Sequence, residues 1–467
     1  MTSSPSLTHG PIGRTLIAFA TPILLGNVLQ SLNGSVNSIW VGRFLGEAAL
    51  GATANANSIL FLLIGGVFGV SMAATILIAQ YVGAGALHDA RRVVGTSAAF
   101  FALVAVTIAL LGWLSAPHLL AAMRTPPESA GLARDYLRII FVAVPCIYLY
   151  TIVMAVLRGA GDSKTPFKFL LLSVGLDIVL NPLFIFGAGP VPGLGIAGSA
   201  LATLVANAVS LAALLLYLYR QRHPLWLHGA DLKLIRLDAT IVGTLLRKGL
   251  PMGLQLLVVS ANMLALVSLV NRFGTDTTAA YGASWQLWNY LQMPAFALGA
   301  AVSSMAAQNV GAGRWDRVHR IAAAGVACHV AATGTMLLAL LALDRNALGL
   351  FLPAGPALEI AAHINRTGAW SFLFFGVSMV LFGTVRSTGA VMPPLVILLI
   401  ALWGVRLPLA IGLAPRLGAD AIWWSFPVAS SISALLAVGY YRFGGWRSAR
   451  MLPVARAPLA SGAAASP

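Results

Sequence analysis

The segment QYVGAGALHDARR, from Gln80 to Arg92, returns 228 residues later as QNVGAGRWDRVHR, from Gln308 to Arg320. A second pair of segments matches at the same distance: LRGAGDSKTP from Leu157 to Pro166, and VRSTGAVMPP from Val385 to Pro394. Two matches at one offset indicate that the chain is a tandem repeat of two related halves.

The remainder of each half consists of long apolar runs. Of the 467 residues, 59% are hydrophobic and 9% are charged, whereas about a quarter of the residues of a soluble protein are charged. Apolar runs of twenty or more residues are typical of transmembrane helices. We predict six per half, at about residues 16–42, 48–82, 93–116, 136–157, 167–188, 193–219, 250–271, 279–310, 321–343, 367–385, 391–413 and 419–441.

The predicted fold is therefore an all-α membrane protein of twelve transmembrane helices in two parallel six-helix repeats. Because each half has an even number of spans, both copies cross the membrane in the same direction, and a cavity is expected between the two bundles. We divide the chain into an N-terminal lobe (1–219), a charged linker (220–249), a C-terminal lobe (250–441) and a tail (442–467) whose composition favours disorder. In the linker, Leu232 and Ile235 alternate with Lys233 and Arg236, which predicts an amphipathic segment on the membrane surface.

The basic residues are distributed unevenly between the two sides of the predicted membrane. The chain has 29 Lys and Arg against 13 Asp and Glu, a formal net charge of +16. Twenty of the basic residues fall in the terminal and even-numbered loops and eight in the opposite loops, with Arg406 inside a span. The positive-inside rule then predicts a multi-pass protein of the cytoplasmic (inner) membrane with both termini in the cytoplasm. The excess charge needs no nucleic-acid partner, and the first residues lack the pattern of a cleavable signal peptide.

The sequence contains no recognisable enzyme motif. GAGDSKT, from Gly159 to Thr165, looks like a phosphate loop, but Ser163 stands before Lys164 where that loop requires glycine, so we interpret it as a tight turn. Serine-protease and zinc-protease spacings are absent. Cys146 and Cys328 lie in different halves, which favours packing roles over a disulfide or a metal site. We expect neither catalysis nor a cofactor.

One carboxylate stands apart from the others. Twelve of the 13 acidic residues lie in loops or near the end of a span, whereas Asp177 lies near the middle of the fifth span, in LLSVGLDIVLNPLFIF. An ionised side chain there costs at least about 2.5 kcal/mol. We therefore expect Asp177 to face a wet cavity or a partner and to bind a proton or a cation. The alternative is a structural hydrogen bond to a neighbouring helix.

Amide side chains accompany Asp177. Asn181 lies one turn further along the same face, and the first span carries a stripe of Gln30, Asn33 and Asn37. One carboxylate with amide oxygens suits either a proton relay or a hard monovalent cation such as Na⁺. Interhelical polar packing is the alternative interpretation of the stripe.

Pro22 interrupts the hydrogen bonding of the first span. Its match in the second half is Pro251, one position out of the register of the repeat. Because proline frees a backbone carbonyl, we predict a kink at Pro22. A kinked helix beside a titrating group can act as a conformational switch.

The eighth span presents a mixed aromatic and amide face. Trp285, Asn289 and Gln292 share one side of this helix, a surface that suits amphipathic cations. An aromatic belt at the membrane interface is the alternative. Arg406, about two turns inside the eleventh span, is expected to extend its side chain to the membrane surface.

The order of these motifs resembles that of the multidrug and toxic compound extrusion (MATE) transporters. The resemblance rests on P…VGRFLG…IAQYVGAG at Pro22 to Gly85, on LRGAGDSKTP, and on GLGIAGSALAT at Gly193 to Thr203, and it extends from about Arg14 to Tyr441. It implies a V-shaped pair of lobes. It also implies export of organic cations or other amphipathic drugs or metabolites, driven by inward flow of H⁺ or Na⁺.

The resemblance assigns roles to individual residues. It implies a first-lobe ion site of Asn37, Asp177, Asn181 and Thr203, a bend at Pro22 and a ligand contact at Gln30. From the polar and aromatic faces of the first and eighth spans we predict further substrate contacts at Asn33, Trp285, Asn289 and Gln292. The chain departs from the family in having Asn37 where aspartate is common, and Asp177 then Asn181 where relatives have asparagine then aspartate. Val259 and Ala390 replace the second-lobe carboxylates of another branch. Asp177 is thus the one acidic group expected to couple transport.

Three other classes of membrane protein share parts of this pattern. A flippase of lipid-linked precursors would need a markedly basic central cavity, and the spans offer only Arg406. A major-facilitator transporter has an acidic residue among glycines and arginines after its second span, unlike YVGAGALHDARR. A channel would show no saturable, gradient-driven flux. The expected protein is a monomer in the lipid bilayer that binds a small amphipathic substrate.

Overall fold

The computed structural model describes residues 7–123, 125–187 and 192–451. Regular structure within these ranges is helical. The α-helices are α1 (Ile12–Leu45), α2 (Glu47–Gly83), α3 (Leu87–Ala122), α4 (Pro127–Gly159), α5 (Lys164–Phe186), α6 (Ile196–Arg220), α7 (Ala239–Val270), α8 (Thr275–Gly311), α9 (Trp315–Ala342), α10 (Asp344–Leu348), α11 (Pro356–Gly368), α12 (Ser371–Arg386), α13 (Met392–Leu399), α14 (Leu407–Leu417) and α15 (Asp420–Phe443).

In the part of the chain that the structure describes, twelve membrane spans account for every α-helix except the five-residue α10. In the described ranges, ten continuous helical segments are long and apolar enough to cross a membrane, and α11 with α12, bent by 44° at their junction, forms an eleventh. The twelfth is α8, which has 37 residues. Its lower apolar content fits its position, since α2, α9, α11 and α12 all pack around it. The all-α architecture of two six-helix repeats is confirmed.

The eleventh span is irregular. A π-helical segment, Ile400–Arg406, joins α13 to α14 within one continuous span, Met392–Leu417. A π-helical turn holds one residue more than an α-helical turn, so it rotates the side chains that follow relative to those that precede it. Arg406 lies at the end of this segment.

The seventh helix begins earlier than the sequence pattern indicates. We predicted a linker to residue 249 and a span from about Leu250, whereas α7 begins at Ala239. Asp238 starts the helix because its carboxylate accepts hydrogen bonds from the backbone N–H groups of Thr240 and Ile241, at 3.0 and 3.3 Å. The basic residues at 247–248 therefore lie within a helix that extends beyond the apolar run.

Ion pairs attach the shortened linker to the first lobe. Its 3₁₀ turn, Gly229–Leu234, packs against α3. Asp231 pairs with Arg91 at 3.2 Å, and Asp238 pairs with Arg92 at 2.7 Å. Leu232 and Ile235 are exposed, as expected for a segment at the membrane surface.

The two lobes meet where α2 and α8 end, which we call the glycine-rich end. Gln80 Nε2 donates to the carbonyl of Ser387 at 2.6 Å, and Gln308 Nε2 donates to the carbonyl of Gly159 at 2.9 Å. The contact is reciprocal, because a Cβ on Gly83 would overlap the Gln308 carbonyl and a Cβ on Gly311 would overlap that of Gln80. The repeated segments QYVGAG, from Gln80, and QNVGAG, from Gln308, therefore form the interface between the lobes.

At the opposite end the lobes are separated by a cleft of about 710 Å³. Its walls come from α2, α7 and α8, and its lining includes Asn57, Phe61, Met263, Tyr281 and Trp285. Contact at one end and separation at the other give the molecule its predicted V shape.

Two helices cross from one lobe to the other. Leu16 and Phe19, in the first part of α1, pack in a buried cluster with α8, α9 and α12 of the second lobe, while the later part of α1 packs against α5. Correspondingly, Leu245 in the first part of α7 belongs to the first-lobe core, and Leu266 belongs to the second-lobe core. Pro22 lies near the end of the second-lobe contacts of α1, which extend to Ile23, and α1 runs unbroken through it.

Candidate functional site

Asp177 is buried at the centre of the first lobe. It lies in the middle of α5 with 4% of its surface exposed. Two neighbouring helices, α1 and α6, pack along α5. The apolar sequence of α5 requires this helix to be enclosed by other helices or lipid, and the carboxylate turns to the side where α1 and α6 supply polar groups.

Three side chains donate hydrogen bonds to the Asp177 carboxylate. Asn33 Nδ2 and Asn37 Nδ2 donate to Oδ2 at 3.0 and 2.8 Å, and Thr203 Oγ1 donates to Oδ1 at 3.1 Å. Asn33 and Asn37 are four residues apart and so share one face of α1. Donors of this kind compensate a buried carboxylate for the hydration it has lost.

Asn181 completes the group, which we call the Asp177 cluster (Asn33, Asn37, Asp177, Asn181 and Thr203). It is fully buried, and its Nδ2 donates to Asn37 Oδ1 at 3.0 Å and to the backbone carbonyl of Asp177 at 2.9 Å. The side-chain oxygens of Asn33 and Asn181 are buried without a partner. Unpaired buried carbonyls are unfavourable. Together with the carboxylate, they are oxygen ligands of the kind that a proton or a small hard cation uses.

The structure brings together all four residues predicted for the ion site, Asn37, Asp177, Asn181 and Thr203. Asn33, which we predicted as a substrate contact, donates a hydrogen bond to Asp177. Its spacing of four residues from Asn37 was the signal for this role. Gln30 is exposed on α1 and lies outside the cluster.

The aromatic and amide face of α8 divides into two parts. Trp285 lines the cleft, whereas Asn289 and Gln292 form a hydrogen bond with each other, from Nε2 to Oδ1 at 2.8 Å. The adjacent Trp288 is fully buried and donates to Asn365 Oδ1 at 2.9 Å. Asn289 and Gln292 are half-buried and do not line the cleft. Of the three predicted residues, Trp285 is the one that reaches the cleft.

Arg406 does not extend to the membrane surface as we predicted. Its Nε and Nη2 atoms are buried without a partner, and its guanidinium carbon lies 3.4 Å from the centre of the Phe426 ring. The π-helical segment explains the error, because it adds a residue to the turn before Arg406 and changes the direction in which this side chain points.

The cleft and the Asp177 cluster are separate places in the molecule. The residues that line the cleft belong to α2, α7 and α8, and those of the cluster belong to α1, α5 and α6. Of the three helices that carry the cluster, α1 packs against the second lobe in the described part of the chain, through Leu16 and Phe19. A change at Asp177 can therefore reach the wall of the cleft through α1.

Comparison with known proteins supports this architecture. The MatE family model matches residues 22–183 and 251–411, one match in each repeat. The probable multidrug resistance protein YoeA of Bacillus subtilis is 36% identical, with 92% of this chain and 94% of that protein aligned. The probable multidrug resistance protein YpnP of the same organism is 30% identical, with 95% and 98% aligned.

Solved structures show the same fold. A multidrug resistance MATE family transporter of the MOP superfamily in an outward-facing conformation superposes with a TM-score of 0.87 at 20% identity, over 95% of this chain and 97% of that one. A MATE structure in a bent conformation gives a TM-score of 0.86 at 21% identity, over the same shares of the two chains. The chain therefore belongs to the multidrug and toxic compound extrusion (MATE) family, whose members are membrane transporters and not enzymes.

Proposed function

We propose that the protein is a secondary antiporter that exports organic cations or other amphipathic compounds in exchange for H⁺ or Na⁺. The observation that carries this proposal is the Asp177 cluster, in which a buried carboxylate with three donors lies beside two unpartnered amide oxygens. The names of the bacterial relatives support a multidrug substrate range. We further propose that the protein acts as a monomer, without a cofactor, in the cytoplasmic membrane.

The proposed orientation places the glycine-rich end in the cytoplasm. The loops at this end carry most of the basic residues, which favours a cytoplasmic location for them and for both termini. The cleft then opens outward. In this arrangement the lobes are sealed against the cytoplasm by the contacts of Gln80 and Gln308, and substrate in the cleft can leave to the outside.

The proposed coupling runs through α1. When Asp177 binds a proton or Na⁺, its charge is neutralised, and the donors Asn33 and Asn37 lose the charge-assisted part of their hydrogen bonds. Both donors are on α1, so their release changes the packing of α1 against α5. Because the other part of α1 is packed in the second lobe, this change alters the relative position of the lobes. The electrical driving force is about 2.3 kcal/mol for each charge that crosses 100 mV.

Transport in proteoliposomes tests the proposal. Ethidium serves as a trial cationic substrate, and proton and Na⁺ gradients are imposed separately on vesicles with wild type, Asp177→Asn or Asp135→Asn. The last variant makes the same chemical change at an exposed position of the first lobe. We expect one gradient to drive flux in wild type and in Asp135→Asn, and no gradient to drive it in Asp177→Asn.

Other outcomes would contradict the proposal. Normal uphill transport by Asp177→Asn would show that the cluster does not couple transport. We expect Asn37→Ala to weaken coupling less, because Asn33 and Thr203 still donate to the carboxylate. Absence of ethidium flux under both gradients in wild type would contradict drug export and would favour export of lipid-linked or other metabolites.

A further inference from the structure

The second lobe contains a counterpart of the Asp177 cluster with the opposite charge. Arg406 Nη1 donates to Asn262 Oδ1 at 3.4 Å, and these two residues are 144 positions apart, as are Asn33 and Asp177. A shift of 229 residues carries Asn33 to Asn262 and Asp177 to Arg406. In α1 and α7 the shift of 229 is already present at Pro22 and Pro251. Between Pro394, which matches Pro166 at the offset of 228, and Arg406, the added residue is that of the π-helical segment.

A third position confirms the correspondence. Gly195 and Gly418, which precede α6 and α15, have nearly the same backbone angles, with φ of 56° and 59° and ψ of −131° and −136°. Eight residues after these glycines come Thr203 and Phe426 respectively. Thr203 donates to Asp177, and the Phe426 ring lies against the Arg406 guanidinium. The same two positions of the repeat thus contact an acid, Asp177, in one lobe and a base, Arg406, in the other.

The guanidinium of Arg406 lacks a counter-charge in the described part of the chain. Its Nε and Nη2 atoms are buried and unpartnered, and no described carboxylate forms an ion pair with it. The amide nitrogen of Asn262 is bonded to the Leu402 carbonyl at 2.8 Å. Arginine stays protonated in proteins, and a buried charge needs a partner. The free donors therefore point to an anionic ligand.

Aromatic residues lie between this guanidinium and the cleft. Tyr281 lines the cleft, stacks on Trp423 with ring centres 5.7 Å apart, and lies 6.4 Å from the Phe426 ring. Trp285, which also lines the cleft, is 6.3 Å from Tyr281. An aromatic compound in the cleft meets this wall first, and an acidic group on it can reach Arg406 if Tyr281 moves aside.

We propose that Arg406, Asn262 and Phe426 form an anion subsite of the second lobe, which binds the carboxylate or sulfonate group of an aromatic transported compound. The two free nitrogens match the two oxygens of such a group. The inference rests on the proposed transport function and extends it, since the substrate range would then include organic anions and zwitterions as well as cations.

Calorimetric titration of the purified full-length protein with 2-naphthoate tests the subsite, and the neutral 2-naphthamide serves as the matched probe. Variants are Arg406→Gln and, as control, Arg416→Gln, an exposed arginine further along the same span. We expect wild type and Arg416→Gln to bind naphthoate and not naphthamide, and Arg406→Gln to bind naphthoate at least tenfold more weakly. If Arg406→Gln does not fold, the comparison of the two probes on wild type decides.

Four results would overturn the proposal: absence of naphthoate binding to wild type, equal affinity for naphthamide and naphthoate, unchanged naphthoate affinity in Arg406→Gln, or displacement of naphthoate by chloride at similar concentration. The last result would assign the site to an inorganic anion. Gradient-driven ethidium export is measured on the same preparations. If wild type exports ethidium but does not bind naphthoate, the subsite alone is refuted. If wild type does not export ethidium, the proposed function is refuted independently.

Discussion

Replacement of Gly311 by alanine should open the glycine-rich end of the molecule. The added Cβ would overlap the backbone carbonyl of Gln80 across the interface between the lobes. Overpacking of this kind costs about 1–3 kcal/mol, and a backbone carbonyl in a helix cannot rotate away as a flexible side chain can. The cost applies only to the closed state, so the ratio of open to closed molecules should rise by about 5- to 150-fold.

Helix propensity cannot account for such a shift. Alanine is more favourable than glycine in a helix by about 1 kcal/mol, but α8 is helical whether the lobes are together or apart, so this gain cancels between the two states. Gly282→Ala provides the matched control. Gly282 is also in α8, and a Cβ there would meet nothing within 4 Å.

Distances between spin labels measure the opening. Labels at Ala84 and Ala312, which follow α2 and α8 directly, are introduced after both native cysteines are replaced by serine. We expect a longer distance component to grow in Gly311→Ala and in the reciprocal variant Gly83→Ala, but not in Gly282→Ala. If Gly311→Ala and Gly282→Ala give the same distance distribution as the unsubstituted protein, the contact does not hold the lobes together.

Two further predictions concern the linker and the cleft. The hydrogen bond from Arg92 holds the pKa of Asp238 below its usual range, so the pair stabilises the fold above about pH 4, and this contribution is lost as the pH falls through the folded-state value. Asp238→Asn can still cap α7. This variant should therefore have a free energy of unfolding at neutral pH that is lower by less than about 1 kcal/mol, measured as a lower thermal unfolding temperature. A difference from wild type that persists at pH 2.5 would contradict the ion-pair explanation. Trp285→Leu should raise the apparent KM for ethidium by about 2- to 30-fold through loss of a cation–π contact, with no change at saturating ethidium, whereas Trp424→Leu, exposed on α15, should leave the KM unchanged. An equal effect of the two tryptophan variants would argue against a specific contact in the cleft.

The repeat and the apolar runs predict the fold because both are properties of the chain alone. The offset between the two VGAG segments fixes the number of lobes, and the polar stripe of α1 identifies Asn37 as a neighbour of Asp177. A stripe gives the face of a helix but not the depth at which a second helix meets it, so the stripe alone did not predict the hydrogen bond from Asn33 to Asp177. The contact of Asn33 with Asp177 depends on the packing of α1 against α5.

The direction of Arg406 and the start of α7 are two features of the structure that the sequence pattern did not predict. If the eleventh span were a regular helix, Arg406 would be expected to extend its side chain to the membrane surface. The π-helical segment Ile400–Arg406 has no sequence signal that we used, and it changes both the direction of Arg406 and its match in the first repeat. Likewise, α7 extends to Ala239 because of one capping interaction of Asp238, which an apolar run does not reveal.

The packing of the first part of α1 in the second lobe has a consequence for biosynthesis. Leu16 and Phe19 find their partners in α8, about 280 residues later in the chain; at about 5–20 residues per second, the ribosome needs about 14 to 56 s to supply them. The first helix to enter the bilayer must therefore wait, facing lipid, until most of the protein has been made. A chain cut between the lobes would leave two fragments that each lack a partner helix, and both should recover a native structure only when they are synthesised together in one membrane.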